Sequence, residues 1–332
     1  MHTGKFLYLA RNDVNACNIS WDDALRIAEN TIKEHDAGAY QMPSKTAVHP
    51  ENCQDAFLHA MPGYLPNFEA AGIKWVSGYN HNRQKYGIDA LCSVLILNDV
   101  ETGYPAALME AGLITAIRTP AVSGVAAKYL ARKNCKSVGL IGAGVQGRNH
   151  LKMMKHLQPT IETFKIYDMF PAASENLAKE LSEELGVNAY AVACAEDAIC
   201  ESDIVITAAP VKGKDPVYKM EWLKPGCLLL PIFSGGWAYE TFATAAKFLV
   251  DDWAQYKAMM FDHLNAYFAG RDYFKLYGQL GEVVNQKKPG RENDDEIIVC
   301  SNLGLALHDI SLGRAVFDIA REKQLGVELS LW

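Results

Sequence analysis

The chain has 332 residues, of which 49% are hydrophobic and 21% charged, and its formal net charge is −7. This length exceeds the ~250–300 residues at which a single core stops growing, so two domains are expected. The acidic balance, with no basic run to offset it, excludes a general nucleic-acid or anionic-membrane binder, and no apolar stretch reaches the ~18 residues of a membrane span.

In chain order, MHTGKFLYLARNDV carries only a short apolar patch followed by charges, which is not a signal-peptide pattern, and its FLYLA core reads as a strand. SWDDALRIAENTIKEHDAG reads as a helix with Ser20 as N-cap, Asp22 and Asp23 in its first turn and Gly38 after its end. FLHAMPGYL, AAGIKWVSGY and LCSVLILND read as strands of an antiparallel or mixed sheet, with ETGYP as the turn after the third. A helical pattern is then expected from Ala107 to Arg132, and it leads into the strand VGLIG. Beyond it, strands and helices alternate: NHLKMMKHL (helix), FKIYD (strand), ENLAKELSEELG (helix), AYAVA (strand), AEDAICES (helix), then DIVITAA, LKPGCLLLPI and FLVDD as strands. The alternation predicts an α/β fold with a doubly wound parallel sheet, right-handed crossovers and a ligand across the carboxyl ends of the strands. GEVVNQKKPGREND reads as a polar surface excursion, and helices from Leu303 to Lys323 as a return onto the first domain. The domains expected are 1–119 with 303–332, for substrate and dimerisation, and 120–302, for a dinucleotide.

The dinucleotide is indicated by SVGLIGAGVQG, in which a strand ends in Gly142, Gly144 and Gly147. In such a turn the first glycine permits the tight bend, the second lets the backbone approach a pyrophosphate, and the third lets the helix pack close to the strand. The phosphates sit at a helix N-terminus, where unpaired N–H groups and the helix dipole favour negative charge. Asp168, at the end of the second strand, is placed to accept hydrogen bonds from the ribose hydroxyls and to repel a 2′-phosphate. Met169, Phe170 and Pro171 supply no cation there, so NAD is expected over NADP. The alternative is that Asp168 only caps the segment after it. Thr119, Val145, Gln146 and Ala208 are further candidate cofactor contacts. The eight cysteines, at 17, 53, 92, 135, 194, 200, 227 and 300, lack CxxC or paired-ligand spacing, which fits reduced thiols in a cytoplasmic protein. His49, Cys53, Asp55 and His59 have possible ligand types at no standard zinc spacing, so no metal is expected.

Several further blocks are shared with one family. MPSK at Met42 to Lys45, GIKWV around Lys74, NDVETGYPAALME from Asn98, LITAIRTPAVSGVAAKYLA from Leu113, IGAGVQG, LGEVVNQKKPGRE from Leu280 and GLALHD at Gly304 to Asp309 together resemble the ornithine cyclodeaminase/mu-crystallin family over most of the chain. The resemblance implies a homodimeric enzyme with an N-terminal sheet domain completed by the C-terminus, a Rossmann domain and a substrate site in the cleft between them. Members either oxidise and reduce amino acids and imines with a nicotinamide, or cyclise ornithine to proline with release of ammonia. The residue types also make chemical sense alone. An amino or imino acid needs cations for its carboxylate, and Lys45, Lys74 and Arg118 are the candidates, Arg118 able to grip it through two parallel hydrogen bonds. The family usually has arginine at the position of Lys45, and lysine weakens bidentate recognition there. Lys74 matches a lysine implicated in substrate binding and proton transfer, and a buried lysine beside another cation can titrate low enough for that role.

Two departures from the cyclodeaminase pattern decide the expected reaction. An acid two residues before MP is replaced by His59, and an aspartate in a GGD-type loop is replaced in PIFSGGWAYE, where Trp237 follows the glycines and Glu240 is the nearest acid. In the family those acids hold and deprotonate the substrate's distal amine, which ring closure requires as a neutral nucleophile. The expected function is therefore an NAD(H)-dependent oxidoreductase acting on the C–N bond of a small amino or imino acid. Ornithine cyclodeaminase is the alternative, and an NAD-binding protein without catalysis a third reading. His59 is expected either as a proton donor at neutral pH or as a hydrogen-bonded core histidine, and Trp237 either against the substrate or, more simply, in packing.

Overall fold

The computed structural model describes residues 4–53, 56–211, 217–232, 235–258 and 276–330. The chain forms two compact units, Met1–Arg118 with Gly304–Trp332, and Thr119–Leu303.

The first unit begins with β1 (Lys5–Leu9), α1 (Arg11–Ala16), α2 (Trp21–Asp36), β2 (Thr46–Val48), β3 (Ala56–Leu65), β4 (Ala70–Tyr79), α3 (Asn82–Tyr86), β5 (Leu91–Asn98) and β6 (Pro105–Glu110). Helix α4 (Gly112–Leu130) then runs across the division into the second unit. Ser20 caps α2 as expected, its hydroxyl accepting a hydrogen bond from the Asp23 N–H at 3.0 Å. Residues 107–110, expected as helix, are strand instead. Ala107 and Met109 are buried while Leu108 and Glu110 are half-buried, and this period of two pairs β6 with both β1 and β5. The helix starts only after Ala111, where the Glu110 carboxylate accepts hydrogen bonds from the N–H groups of Gly112 and Leu113 at 2.7 and 3.1 Å. An acid is favourable at that end because the first-turn N–H groups lack partners within the helix.

The second unit continues with β7 (Ser137–Ile141), α5 (Val145–Leu157), β8 (Thr163–Tyr167), α6 (Pro171–Leu185), β9 (Asn188–Ala191), α7 (Ala195–Ile199), β10 (Ile204–Thr207), β11 (Leu228–Pro231), α8 (Tyr239–Thr244), β12 (Lys247–Val250), β13 (Gly278–Gln279), α9 (Leu280–Val284) and β14 (Ile298–Ser301). Its eight strands are ordered β13-β12-β14-β11-β10-β7-β8-β9, and every pairing is parallel. β10, β11, β12 and β14 are buried along their whole length, which explains their continuous apolar runs. The chain builds outward from β7 through β8 to β9, then crosses to β10 on the other side of β7, which creates a topological switch point at the carboxyl ends of β7 and β10. The surface excursion expected over 281–294 holds only in part. α9 buries Gly281, Val283 and Val284, and Arg291 donates from Nε to the Leu130 carbonyl at 2.8 Å, so part of this polar stretch is tied into the unit.

The first unit closes with α10 (Ala306–Glu322) and β15 (Val327–Ser330). β15 pairs antiparallel with β1, giving a seven-stranded sheet ordered β15-β1-β6-β5-β4-β3-β2. α10 packs on β3, β4, β5 and α2, a single helix where more than one was expected. Its core joins Leu95, Leu97 and Met109 of the sheet to Ile310, Leu312 and Val316 of α10.

At the amino-terminal edge of the parallel sheet, buried Asp203 accepts hydrogen bonds from the N–H groups of Lys136 and Ser137 at 2.6 and 3.0 Å and pairs with Lys224 at 2.8 Å and with Arg132. Burial alone would raise its carboxyl, but these partners hold it down at about 2. A depressed carboxyl stabilises the fold above its unfolded value and loses that contribution as pH falls through the folded one. Asp203→Asn is therefore expected to remove about 2 kcal/mol at pH 7, measured by urea unfolding, with the deficit shrinking as pH falls from about 4 toward 2.

Candidate active site

The first unit gathers charge where a sheet interior ordinarily holds only apolar side chains. Along β4, Lys74 and Val76 face inward while Trp75 is exposed, so strand alternation places the lysine under α10, opposite Met61 of β3 and Leu95 of β5. Lys74 is 1% exposed. Its Nζ donates to Oδ2 of Asp309 at 2.6 Å and lies 3.5 Å from the Thr115 hydroxyl. Arg118, from α4, donates from Nε to Oδ1 of the same carboxylate at 3.0 Å. Asp309 is fully buried in the first turn of α10. Lys45 stands one residue before β2, whose register sets Thr46 opposite Ala60 and Ala47 opposite His59 and so carries Lys45 toward the row of Met61 and Lys74.

This arrangement separates the titrations of its members. Burial pushes the Lys74 ammonium down to about 7, with Arg118 and Lys45 adding to the effect and Asp309 opposing it. The Lys74 amine is thereby brought far below the usual lysine range, toward neutral pH. Burial would raise the Asp309 carboxyl, but Arg118 and Lys74 hold it below the usual range. Asp309 lies in the GLALHD block, yet sequence reasoning gave it no role, because its partners are far away in the chain. Its neighbour His308 is also fully buried, with neither ring nitrogen hydrogen-bonded, and burial pushes it down to about 3.

His59 departs from one of its two expected roles, and Trp237 takes the packing alternative. His59, on β3, stacks on Phe57 with ring centroids 4.4 Å apart and meets His49 edge-on at 6.5 Å. Burial first, then Lys45, His49 and Lys74, push its imidazole down to about 4, so it is neutral at pH 7 and not the expected proton donor. Trp237 is 5% exposed and belongs to the core of the second unit, its ring 5.3 Å from Tyr218 and its indole N–H directed at the Thr207 hydroxyl at 3.3 Å. Its side chain packs in this core. Glu240 lies in the first turn of α8, while Phe233 and Ser234 of the preceding loop, like Asp55, lie outside the described residues.

In the second unit the glycine turn follows β7 at the switch point. Gly142 has φ +102, and a Cβ there would crowd the backbone of Ala208 and Ala209; one on Gly147 would overlap the Gly142 carbonyl oxygen. Gly144, the N-cap of the thirteen-residue α5, has nothing within 4 Å of a Cβ built on it, which leaves its backbone approachable. Val145, Gln146 and Gly147 form the first turn of α5, and the Ala208 N–H donates to the Ile141 carbonyl at 2.7 Å, setting the end of β10 beside the turn. Thr119 follows Arg118 within α4. Asp168 accepts from the Ala143 N–H at 2.8 Å and from the Phe170 N–H at 2.9 Å, so it both braces the glycine turn and caps the segment after it. Met169 and Phe170 beside it are exposed. These residues fit NAD: an open backbone approach, a helix N-terminus for the pyrophosphate and a carboxylate for the ribose. Gly144→Ala is accordingly expected to keep the wild-type melting temperature while weakening NADH binding, followed by fluorescence titration, by about tenfold or more.

Comparison with known proteins places the chain. It is 36% identical to the nodulation efficiency protein NfeD of Rhizobium meliloti, over 97% of this chain and 98% of that one. The Δ1-pyrroline-2-carboxylate reductase of Thermococcus litoralis, solved with NADH and L-proline, superimposes with a TM-score of 0.89 at 33% identity, covering 97% of this chain and 99% of its own. An archaeal alanine dehydrogenase, solved as a dimer with bound NAD, gives a TM-score of 0.86 at 30% identity and covers 99% and 100% of the two chains. Residues 7–324 match the sequence pattern of a single family, and the chain belongs to the ornithine cyclodeaminase/mu-crystallin family.

Proposed function

We propose that this chain is an NAD(H)-dependent oxidoreductase acting on the C–N bond of a small amino or imino acid. The observation that carries the reading is the buried Lys74–Asp309–Arg118 cluster, which combines a fixed guanidinium with an amine that exchanges its proton near neutrality. The reductase with L-proline and NADH and the alanine dehydrogenase with NAD support it, both matching this chain over nearly its whole length.

In the oxidative direction an amino acid and NAD⁺ give an imino acid, NADH and a proton. When bound, the nicotinamide supplies the hydride chemistry, accepting the hydrogen and its electron pair from the α-carbon. Arg118, with Lys45, holds the substrate carboxylate, which fixes the α-carbon. Neutral Lys74 takes a proton from the substrate ammonium, leaving the nitrogen lone pair free to form the C=N bond as the hydride departs. In reduction, protonated Lys74 returns that proton to nitrogen. His59, standing where the cyclodeaminase pattern has an acid, offers no carboxylate to a distal ammonium, which supports a substrate without one.

Purified protein incubated with NAD⁺ and a panel of amino acids including ornithine tests this reading. Net NADH with a neutral amino acid is expected, whereas proline and ammonia from ornithine without net NADH would replace the reading with a cyclodeaminase. Lys74→Met is expected to lower kcat by about 10²-fold or more, as loss of a general base does. Wild-type oxidation should rise with pH through about 7, following release of the Lys74 proton.

We also infer a homodimer formed through the sheet face opposite α10. Pairing aligns Val327, Tyr8, Leu108, Ile96, Ile73 and Pro62 in one apolar row across six strands. Beside it, Trp75 and Val94 stand opposite each other and are 41% and 38% exposed. Exposed apolar surface of this extent calls for a partner. Val94→Lys combined with Trp75→Glu is expected to convert a dimer into a monomer in sedimentation velocity; an unchanged mass would reject this face.

A further inference from the structure

Asp309 occupies a position that the reaction does not by itself require. Its two oxygens are divided, one to Lys74 and one to Arg118, so a single carboxylate fixes both cations. The far side of the guanidinium is limited by Gly304, two residues before α10, where φ is +80 and a Cβ would overlap Arg118 Nη1. Because Asp309 bonds only through Nε, the guanidinium is steered at one edge by a carboxylate and bounded at its tip by a backbone without a side chain. Both restraints belong to the GLALHD block at the head of α10, which is thus built around Arg118.

The charged groups acting on Lys74 are Asp309 from α10, Arg118 from α4 and Lys45 ahead of β2. His59 of β3 lies on the same sheet face and is neutral at pH 7, while β5 contributes apolar Leu95. Among these only Asp309 favours the protonated lysine. We propose that Asp309 is the positioning residue of this cluster, holding the Lys74 amine and the Arg118 guanidinium in place and keeping Lys74 able to carry a proton, with Gly304 as the backstop for Arg118. This rests on the roles given above to Lys74 and Arg118.

The two restraints predict separable defects. Asp309→Asn removes the one opposing charge, so the pH at which oxidation rises should move toward acid by about one unit or more, and KM should rise as Arg118 loosens. Asp309→Glu keeps the charge and should leave the pH limb within a few tenths of wild type while raising KM. Gly304→Ala sets its Cβ against Arg118 and, at φ +80, also strains the backbone ahead of α10, but it removes no charge, so it should raise KM by about tenfold with no movement of the limb. NADH titration and melting curves verify that each variant is folded. A wild-type pH limb in folded Asp309→Asn, or a wild-type KM in Gly304→Ala, would overturn the proposal. If Asp309→Asn does not fold, a limb displaced to acid in Asp309→Glu overturns it instead. Full activity in Lys74→Met would reject the underlying reading regardless of the Asp309 results.

Discussion

A carboxylate removed from water and set between two cations is the interaction on which the proposed chemistry depends. An isolated buried charge costs far more than a folded protein can spare, so Lys74, Arg118 and Asp309 persist inside the first unit only as a group. With all three ionised the group carries one net positive charge, from two cations and one anion; when Lys74 loses its proton it is neutral. That excess positive charge, with burial, is why the Lys74 ammonium is pushed down toward neutrality, while Asp309 keeps the protonated state from being wholly uncompensated. In the proposed reaction it also leaves a cationic environment for the substrate carboxylate, reinforced by Lys45.

The architecture delivers these groups from three separate places. Strand alternation turns Lys74 inward, α4 supplies Arg118 at the last position of the first unit, and α10 carries Asp309 back from the far end of the chain. α10 could not do this as a loose appendage. Its apolar side packs on β3, β4 and β5, and β15 after it adds a strand beside β1, so the first unit is completed only by the end of the chain. The second unit is more local in construction, its parallel strands following a regular order that exposes the glycine turn at the switch between β7 and β10.

Much of this was legible in the sequence because the signals are local. A strand followed by Gly142, Gly144 and Gly147 can be read from eleven residues, and the Ser20 cap from four. β6 was not legible as a strand, since its short Ala-Ala-Leu-Met run adjoins a long helix and only pairing with β1 and β5 decides its period. Asp309 sits within a shared motif but has no purpose visible in the sequence, because its partners are 235 and 191 positions away. His59 had a residue type suited to proton donation, yet its burial, and after it Lys45, His49 and Lys74, push its imidazole down to about 4. Trp237 follows a glycine pair that suggests a binding loop, and only the tertiary fold shows the indole packed on Tyr218. Residue type and periodicity thus located the elements, while long-range charge and packing determined what individual side chains could do.

The most direct test of the central claim is to follow the α-hydrogen. An amino acid deuterated at the α-carbon is incubated with the protein and NAD⁺, and the deuterium content of the accumulated nicotinamide and of the product is measured by mass spectrometry. The account requires deuterated NADH to accumulate in step with the imino acid or the keto acid formed from it by hydrolysis. Deuterium returned to a cyclised product without accumulated NADH, or no transfer from any amino acid tested, would contradict it.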